Sequence, residues 1–227
     1  VADISDVWEQ SNLAGQFPSS METLTQHGGK QYMLPLGYDW RGIYYNRAIF
    51  QQYGLTPPET WDELMQIAET LIINGEIPFA LAGRNEWAAM LWFDYINMRL
   101  NGIDYHRQLI AGQIPYTDTG VREALSIWQF LFEQSYFIPN PGRLSELNSL
   151  TAIIRGDKDS PLNREKAVML LTAAGEVDEL PDVFQAELDF FAFPTITPDV
   201  GRGEIISSYG YLIPCLLYTS PSPRDIG

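Results

Sequence analysis

Apolar residues spaced three and four apart predict a helix whose two ends are both marked in the sequence. Thr60-Trp61-Asp62-Glu63 marks its start, because the Thr60 side chain and the Glu63 carboxylate can each accept a hydrogen bond from the other residue's backbone N–H. The apolar residues that follow share one helical face: Leu64, Ala68, Leu71 and Ile72. Asn74-Gly75 predicts the C-terminal end, since glycine readily adopts the left-handed conformation that closes helices.

Two further helices follow from the same periodicity. Residues 87–100 predict a helix whose apolar side chains cover more than one stripe, which indicates burial on most sides or a position beside a cavity. The next helix begins at Asp118 or Thr119, either of which can cap it. Its predicted inner face consists of Val121, Leu125, Trp128 and Phe132. We expect Pro139 and Pro141 to end it, because proline lacks the backbone donor that a helix interior needs.

Short apolar runs bounded by turn residues predict strands over residues 31–35, 42–45, 166–171 and 187–194. One more helix is predicted over residues 144–155. Helices that alternate with short buried strands are typical of an α/β fold. The pattern therefore predicts that fold class for most of the chain.

The composition indicates a sizeable core, and the net charge argues against two classes of partner. The chain has 227 residues, of which 45% are hydrophobic, enough for one large domain or two small ones. Its net charge of -15 argues against a nucleic-acid partner or an anionic membrane. These 227 residues contain no apolar run of membrane-spanning length and no charged-apolar-small leader pattern at their start, so we expect neither a membrane span nor a signal peptide among them. Since the chain opens on Val1 rather than Met, we expect that the natural N-terminus is missing.

Metal binding and Cys or His catalysis have few residues available. The single cysteine, Cys215, lies in CLLYTSPSPRDIG, which resembles the translated read-through of a sequencing adapter; the alternative is a Ser/Pro-rich linker. His27 and His106 lie in turn-like contexts, so we predict surface or turn roles for both. Motifs for nucleotide, zinc and nucleophilic-serine sites are missing. No cofactor and no metal are therefore expected.

Carboxylates beside aromatic rings are the remaining candidates for chemistry. Asp39 precedes Trp40, Glu86 precedes Trp87, and Asp94 follows on the same predicted helix. An aromatic ring can pack on the apolar face of a pyranose while a carboxylate accepts hydrogen bonds from its hydroxyls. The same residue types would suit a glycoside hydrolase, which needs two carboxylates. A third possibility is that the aromatic residues are packed in the core and the acids cap helices or lie in solvent. Sequence spacing alone does not distinguish a sugar-binding site, a hydrolase site and this structural role.

Four short motifs, taken together, resemble a known family. They are Gly29-Lys30 with Tyr32 and Pro35, then Tyr44-Tyr45-Asn46, then Tyr53-Gly54-Leu55, then Pro58 with Thr60-Trp61-Asp62-Glu63. In this order and spacing they resemble the extracellular solute-binding proteins of ABC sugar importers, in the group that includes maltose-binding protein. The similarity continues through residues 74–81, 165–169 and 189–194. It departs at residues 172–177, where the family usually carries a sugar-stacking tryptophan and this chain has no aromatic residue.

The resemblance implies an α/β, two-lobe periplasmic-binding-protein fold, truncated at both ends and consisting mostly of the second lobe. Residues 1–42 would be part of the first lobe with the first hinge crossing at 37–42. Residues 43–190 would be the second lobe, and residues 191–214 the second crossing, at 191–196, with the return to the first lobe. Residues 215–227 would be an artefactual tail.

The resemblance also implies a ligand held in the cleft between the lobes. The residues at the matching positions, taken with the acid and aromatic pairs, are Asp39, Trp40, Glu86, Trp87, Gly175, Glu176, Tyr209 and Tyr211. Backbone N–H groups at a helix start near Gly175 could donate to the ligand. Tyr209 and Tyr211 alternate along a predicted strand, a pattern that is also typical of a packed face.

The implied function is binding without catalysis. The chain would capture a sugar or oligosaccharide and deliver it to the membrane permease subunits of an ABC importer. It would act as a monomer, without nucleic acid, in the periplasm or on the extracellular face of a bacterial membrane, with lipid anchoring left open. The alternatives are a carbohydrate-active hydrolase with paired carboxylates and a ligand-free interaction domain on the same fold.

Overall fold

The computed structural model describes residues 1–154 and 166–214. The chain divides into two compact units. One unit contains Val1–Asp39 together with the described residues from Ile206 onward, and the other is Trp40–Ile205. Arg155 at the end of the last predicted helix, Glu165 in the motif at 165–169, and the tail with Cys215 lie outside the described residues.

The helices and strands alternate along most of the chain. The helices are α1 (Ser5–Gln10), α2 (Ser19–Leu24), α3 (Arg47–Tyr53), α4 (Trp61–Ile73), α5 (Glu86–Asn101), α6 (Ile103–Ile110), α7 (Thr119–Glu133), α8 (Glu146–Ile153), α9 (Ala174–Asp178) and α10 (Asp182–Gln185). The strands are β1 (Gln26–His27), β2 (Lys30–Gln31), β3 (Leu34–Asn46), β4 (Phe79–Ala80), β5 (Met169–Ala173), β6 (Leu188–Phe191) and β7 (Ile206–Tyr211). This order confirms the predicted α/β class.

In the first unit, β1 and β2 form an antiparallel hairpin. Gly28 and Gly29 make its turn with positive φ angles of 58° and 77°, which glycine adopts without the strain that a Cβ would cause. Nearby, the indole of Trp8 packs against Phe17 at a centroid separation of 5.6 Å. β7 pairs with β3, and Ser208 donates to the carbonyl of Gly37.

The long strand β3 corrects the prediction of two separate strands at 31–35 and 42–45. It runs without a break from Leu34 to Asn46, through the residues 36–41 that separate the two predicted strands. The pairing supplies the reason, because β3 bonds to β7 near one end and lies between β5 and β6 near the other. Backbone pairing on both sides outweighs weak local strand propensity.

The sheet of the second unit has the strand order β4-β5-β3-β6. β3 is antiparallel to both neighbours, with Ile43 opposite Leu171 on one side and Phe191 on the other. β4 runs parallel to β5. β5 begins at Met169 and extends to Ala173, later than the predicted 166–171, and β6 ends at Phe191, three residues before the predicted end at Pro194.

Alternation along β3 separates two hydrophobic clusters in this unit. Ile43 and Tyr45 belong to the larger cluster, which contains the buried faces of α4, α5 and α7. Tyr44 belongs to the smaller one, which includes residues of α8, β5 and β6. Because successive side chains of a strand point to opposite faces, this one strand contributes to both clusters.

Helix α4 has the predicted start but a different buried face. Thr60 accepts from the backbone of Glu63, and the Glu63 carboxylate accepts from Thr60, which completes the capping box. Leu64, Ala68 and Leu71 are fully buried as predicted, whereas Ile72 is 40% exposed. Ile67 takes its place on the buried face. The buried stripe is therefore as wide as the sequence suggested but is rotated around the helix toward Ile67.

Helix α7 is capped by Asp118, whose carboxylate accepts from the backbone of Gly120. The predicted inner face is wrong apart from Val121, because Leu125 and Phe132 are 40% and 42% exposed and Trp128 is only partly buried. The buried residues are Val121, Ala124 and Leu131. The helix also ends at Glu133, before Pro139, because Ser135 adopts a left-handed conformation with φ of 58°.

Helix α5 is buried on most sides, as its broad apolar pattern predicted. Its Arg99 is fully buried and connects the helix to the returning chain. The guanidinium donates to the carbonyls of Phe193 and Gly203 and forms an ion pair with Glu204 at 2.6 Å. These three contacts attach residues 193–204 to α5.

The prediction of a surface or turn role holds for His27 but not for His106. His27 is exposed at the β1–β2 turn. His106 lies within α6, is only 8% exposed, and its Nδ1 is 3.0 Å from the amide nitrogen of Asn97 on α5. Contact between α5 and α6 buries the imidazole, and a short sequence window contained no sign of this. Within residues 1–154 and 166–214, no helix has the length and apolar character needed to cross a membrane.

Candidate functional site

Polar side chains from three elements of the second unit meet at Glu146, the first residue of α8. One carboxylate oxygen of Glu146 accepts from the Asn85 side chain at 3.3 Å, and the other accepts from the Thr172 hydroxyl at 3.3 Å. Asn85 immediately precedes α5, and Thr172 lies near the end of β5. The Glu146 cluster is defined as Glu146 with Asn85, Thr172 and Glu176.

The strands and helices explain why these residues converge. β4 and β5 are parallel, so their carboxyl ends lie at the same edge of the sheet, the edge where open α/β sheets commonly bind ligands. Helices α5 and α8 begin there, and their N-termini carry partial positive charge. Ser145 caps α8 by accepting from the backbone of Asn148. The Asn85 side chain caps nothing, and its amide donates to Glu146 instead.

Burial and neighbouring charge place the pKa of one carboxyl group in the Glu146 cluster near neutral pH. Burial, followed by the negative charge of Glu176, raises the pKa of Glu146 from 4.5 to about 7. The hydrogen bonds from Thr172 and Asn85 and the positive charge of Arg41 act in the opposite direction. Near neutral pH the carboxyl is therefore a mixture of both forms, and can donate as well as accept hydrogen bonds.

Of the residues predicted from sequence, Glu86, Trp87, Gly175 and Glu176 lie at or beside this cluster. Glu86 and Trp87 form the first turn of α5, directly after Asn85, and Trp87 is 40% exposed. Gly175 and Glu176 lie in the short helix α9, which follows β5. The charge of Glu176 acts on Glu146.

Trp40 belongs to a separate aromatic cluster in the same unit. Its ring centroid is 4.5 Å from that of Phe190 and 6.0 Å from that of Tyr44. Gly42 makes this arrangement possible, because a Cβ at that position would lie 2.8 Å from the Trp40 ring. The indole is half-buried, so one part of it packs and another remains accessible.

The other predicted site residues are Asp39, Tyr209 and Tyr211, and they belong to the first unit. Asp39 lies on β3 at the end of that unit. Tyr209 and Tyr211 share one face of β7 and are 57% and 66% exposed. The Tyr209 ring lies over Gly37, where a Cβ would be 2.7 Å from the ring.

Asp94, on α5, faces the buried imidazole of His106. Its carboxylate lies 3.8 Å from His106 Nε2. Burial raises the pKa of Asp94 to about 6 and lowers that of His106. The described residues contain no group of three or more His, Cys, Asp or Glu side chains arranged to hold a metal ion.

Sequence reasoning missed Glu146, Asn85 and Thr172. The three are 61 and 26 positions apart in the chain, and no short motif contains two of them. Ser145 was the one available signal, because serine before an acidic residue is typical of a helix start. It indicated the helix but not the chemistry at its first residue.

The model of the bacterial extracellular solute-binding protein family matches residues 1–215. The chain belongs to this family. It is 30% identical over 135 residues to an uncharacterized ABC transporter extracellular-binding protein of Pyrococcus horikoshii, covering 58% of this chain and 30% of that protein. It is 47% identical over 58 residues to the multiple sugar-binding protein of Streptococcus mutans, covering 26% of this chain and 14% of that one.

Solved structures give the same fold. A bacterial solute receptor described as preferring β-D-galactopyranose has a TM-score of 0.76 at 26% identity, covering 94% of this chain and 52% of that one. A chitin oligosaccharide binding protein has a TM-score of 0.81 at 22% identity, covering 99% and 54%. This solute-binding protein therefore spans about half the length of these structures and less than a third of the two curated relatives above. The predicted α/β fold of the periplasmic solute-binding proteins is confirmed.

Proposed function

We propose that this solute-binding protein chain is part of the substrate-binding component of an ABC importer and binds a sugar or oligosaccharide. The Glu146 cluster is the observation that carries the proposal. It presents carboxyl, hydroxyl and amide groups at one edge of the sheet. The exposed Trp87 lies two residues after Asn85.

The chemistry of the cluster matches a polyhydroxylated ligand. Each sugar hydroxyl can donate one hydrogen bond and accept others. Glu146 can take either role near its pKa of about 7, and Asn85 has both an amide donor and a carbonyl acceptor. An anionic ligand would meet the like charge of Glu146 and Glu176, so a neutral sugar is the better fit.

The names of similar proteins support the same class of ligand. They include a multiple sugar-binding protein, a melibiose, raffinose and stachyose binding protein of Bacillus subtilis, and a chitin oligosaccharide binding protein. We extend this ligand class to the chain as a proposal, together with delivery to membrane permease subunits, action as a monomer and a location outside the cytoplasmic membrane. Asp39, Tyr209 and Tyr211 remain proposed ligand contacts from the first unit.

One observation favours the second candidate, a carbohydrate-active hydrolase. Glu146 and Glu176 are neighbouring carboxyl groups, and the pKa of one is raised into the range of a general acid. Retaining and inverting hydrolases both need such a pair on opposite sides of the scissile bond. Binding remains the better supported function, since the similar proteins with named functions are binding proteins.

A thermal unfolding assay with a sugar panel tests the proposal. A matching sugar should raise Tm of the unmodified chain by an amount that grows with the logarithm of its concentration above Kd, and chromatography should recover the sugar intact. Glu146→Gln should reduce the shift, whereas Glu123→Gln on the exposed face of α7 should leave it unchanged. Release of shorter sugars would support the hydrolase instead, and a panel without any shift would contradict both.

A further inference from the structure

A groove of about 300 Å³ lies beside the aromatic cluster of the second unit. It is called the aromatic groove here and is lined by Trp40, Tyr44, Phe190, Val177 and Gln185, among others. Its volume falls at the lower end of the range for small-molecule sites. Phe190 is 47% exposed, so a ligand in the groove could reach this ring directly.

Strand geometry brings the rings together. Trp40, Gly42 and Tyr44 lie on one face of β3, because side chains alternate along a strand. Phe190 lies directly opposite Tyr44 on β6, with ring centroids 5.7 Å apart. The absent side chain of Gly42 leaves room for the Trp40 ring, which would otherwise lie 2.8 Å from a Cβ. Adjacent aromatic surfaces therefore border one groove.

The aromatic groove and the Glu146 cluster share helix α9 and one face of the sheet, since Thr172 lies directly opposite Gly42, between Trp40 and Tyr44 on β3. Ala174 and Val177 of this helix line the groove, while Glu176, between them in sequence, acts on Glu146. The helix rises about 1.5 Å per residue, so its five residues extend over roughly 7 Å. A ligand longer than one ring could contact both sides of this short helix.

Polar groups at the edge of the groove fit a sugar better than a purely apolar ligand. Gln185 donates through Nε2 to the carbonyls of Leu180 and Asp178 at 2.7 and 3.2 Å, which fixes its side chain and orients its own carbonyl oxygen. Asp178 adds a further acidic residue to the lining. These acceptors suit ligand hydroxyls, and the acidic edge disfavours sugar acids and phosphates.

We propose that the aromatic groove binds a second pyranose ring of an oligosaccharide whose first ring contacts the Glu146 cluster. The C–H face of the second ring packs on Phe190 and the accessible edge of Trp40, and its hydroxyls donate to the groove acceptors. This inference rests on the proposed sugar-binding function and narrows its ligand to neutral oligosaccharides of two or more rings.

Calorimetric titration with matched length series tests the inference. The probes are galactose, melibiose and raffinose, and separately glucose, maltose and maltotriose. In the series that binds, we expect the two-ring sugar to bind more tightly than the single ring. Phe190→Ala should weaken two-ring binding by about tenfold, the loss expected for an aromatic contact, and leave single-ring affinity unchanged. Phe130→Ala, at a ring on α7 that is 40% exposed, is the matched control and should change neither.

Two further measurements keep the test decisive. Phe190→Leu keeps apolar area but removes the ring, and it should also weaken two-ring binding. It serves as the test if Phe190→Ala fails to fold. Trp40→Phe should reduce the fluorescence change on adding the two-ring sugar, whereas Trp61→Phe should not.

The outcomes separate the inference from the function on which it rests. Equal affinity for one and two rings, equal loss of both in Phe190→Ala, or no effect of either Phe190 variant would overturn the inference while sugar binding stands. Absence of binding to every probe in both series would overturn the inference together with the proposed function.

Discussion

Replacing Glu146 by glutamine should stabilise the folded chain at alkaline pH, although it removes a residue from the candidate site. Burial and Glu176 raise the pKa of Glu146 from 4.5 to about 7, so the folded state binds this proton more tightly than the unfolded state. Stability from this group is fully present below pH 4.5 and is lost as the pH rises through 7. At pH 8 the folded protein holds a carboxylate in an unfavourable position.

The expected difference in unfolding free energy follows from the size of the pKa shift of Glu146. One pKa unit corresponds to about 1.4 kcal/mol, which gives an upper limit of about 3 kcal/mol for Glu146. The side chain is only half-buried, and solvent screening reduces the value, so we expect about 1–2 kcal/mol. Glutamine keeps an oxygen that can accept from Asn85 or Thr172, so little of this difference should come from lost hydrogen bonds.

Urea unfolding at pH 5 and pH 8 measures the effect. The unfolding free energy of Glu146→Gln, relative to the unmodified chain, should rise by about 1–2 kcal/mol between these pH values. Asp94, with a pKa of about 6, titrates in both proteins and cancels in the difference. Glu123→Gln should show no such change. A difference that is independent of pH, or that has the opposite sign, would refute the assigned cause.

Two further predictions concern the framework. Arg99→Ala should destabilise the chain by about 3–5 kcal/mol in urea unfolding, because it leaves the carbonyls of Phe193 and Gly203 without their donor and removes the ion pair with Glu204, which keeps the hydrogen bond from Tyr95. Arg107→Ala, at an exposed ion pair, should cost less than about 1 kcal/mol, and similar losses in both variants would contradict the role of the buried contacts. Thr60→Ala should lower the unfolding free energy by about 1 kcal/mol through the lost cap, and an unchanged value would show that the capping box contributes nothing.

Local features of the fold could be predicted from the sequence because their causes are local. The capping box of Thr60 and Glu63 needs only residues three apart, and the broad burial of α5 is visible in its composition. Features that depend on distant neighbours could not be predicted. β3 is one strand because β5, β6 and β7 pair with it, and His106 is buried because α6 packs on α5.

The candidate site likewise combines residues that local sequence patterns identify with residues that only the fold brings together. Acid and aromatic neighbours in sequence identified Glu86 and Trp87, which lie beside the Glu146 cluster. The family resemblance identified Glu176, which belongs to the cluster. Glu146 itself was invisible, because its partners are brought together only by the parallel strands and the helices that follow them. Its raised pKa depends on burial and on a charge 30 positions away in the chain. Neither can be read from a local pattern.

Direct titration of the chain with neutral sugars, followed by mass spectrometry of the recovered ligand, tests sugar binding most directly. We expect saturable binding of at least one neutral oligosaccharide, weakened by Glu146→Gln but not by Glu123→Gln, with the ligand recovered at its original mass. Absence of binding across the panel, or recovery of cleaved sugar, would contradict the proposal that this chain belongs to a sugar-binding component of an importer.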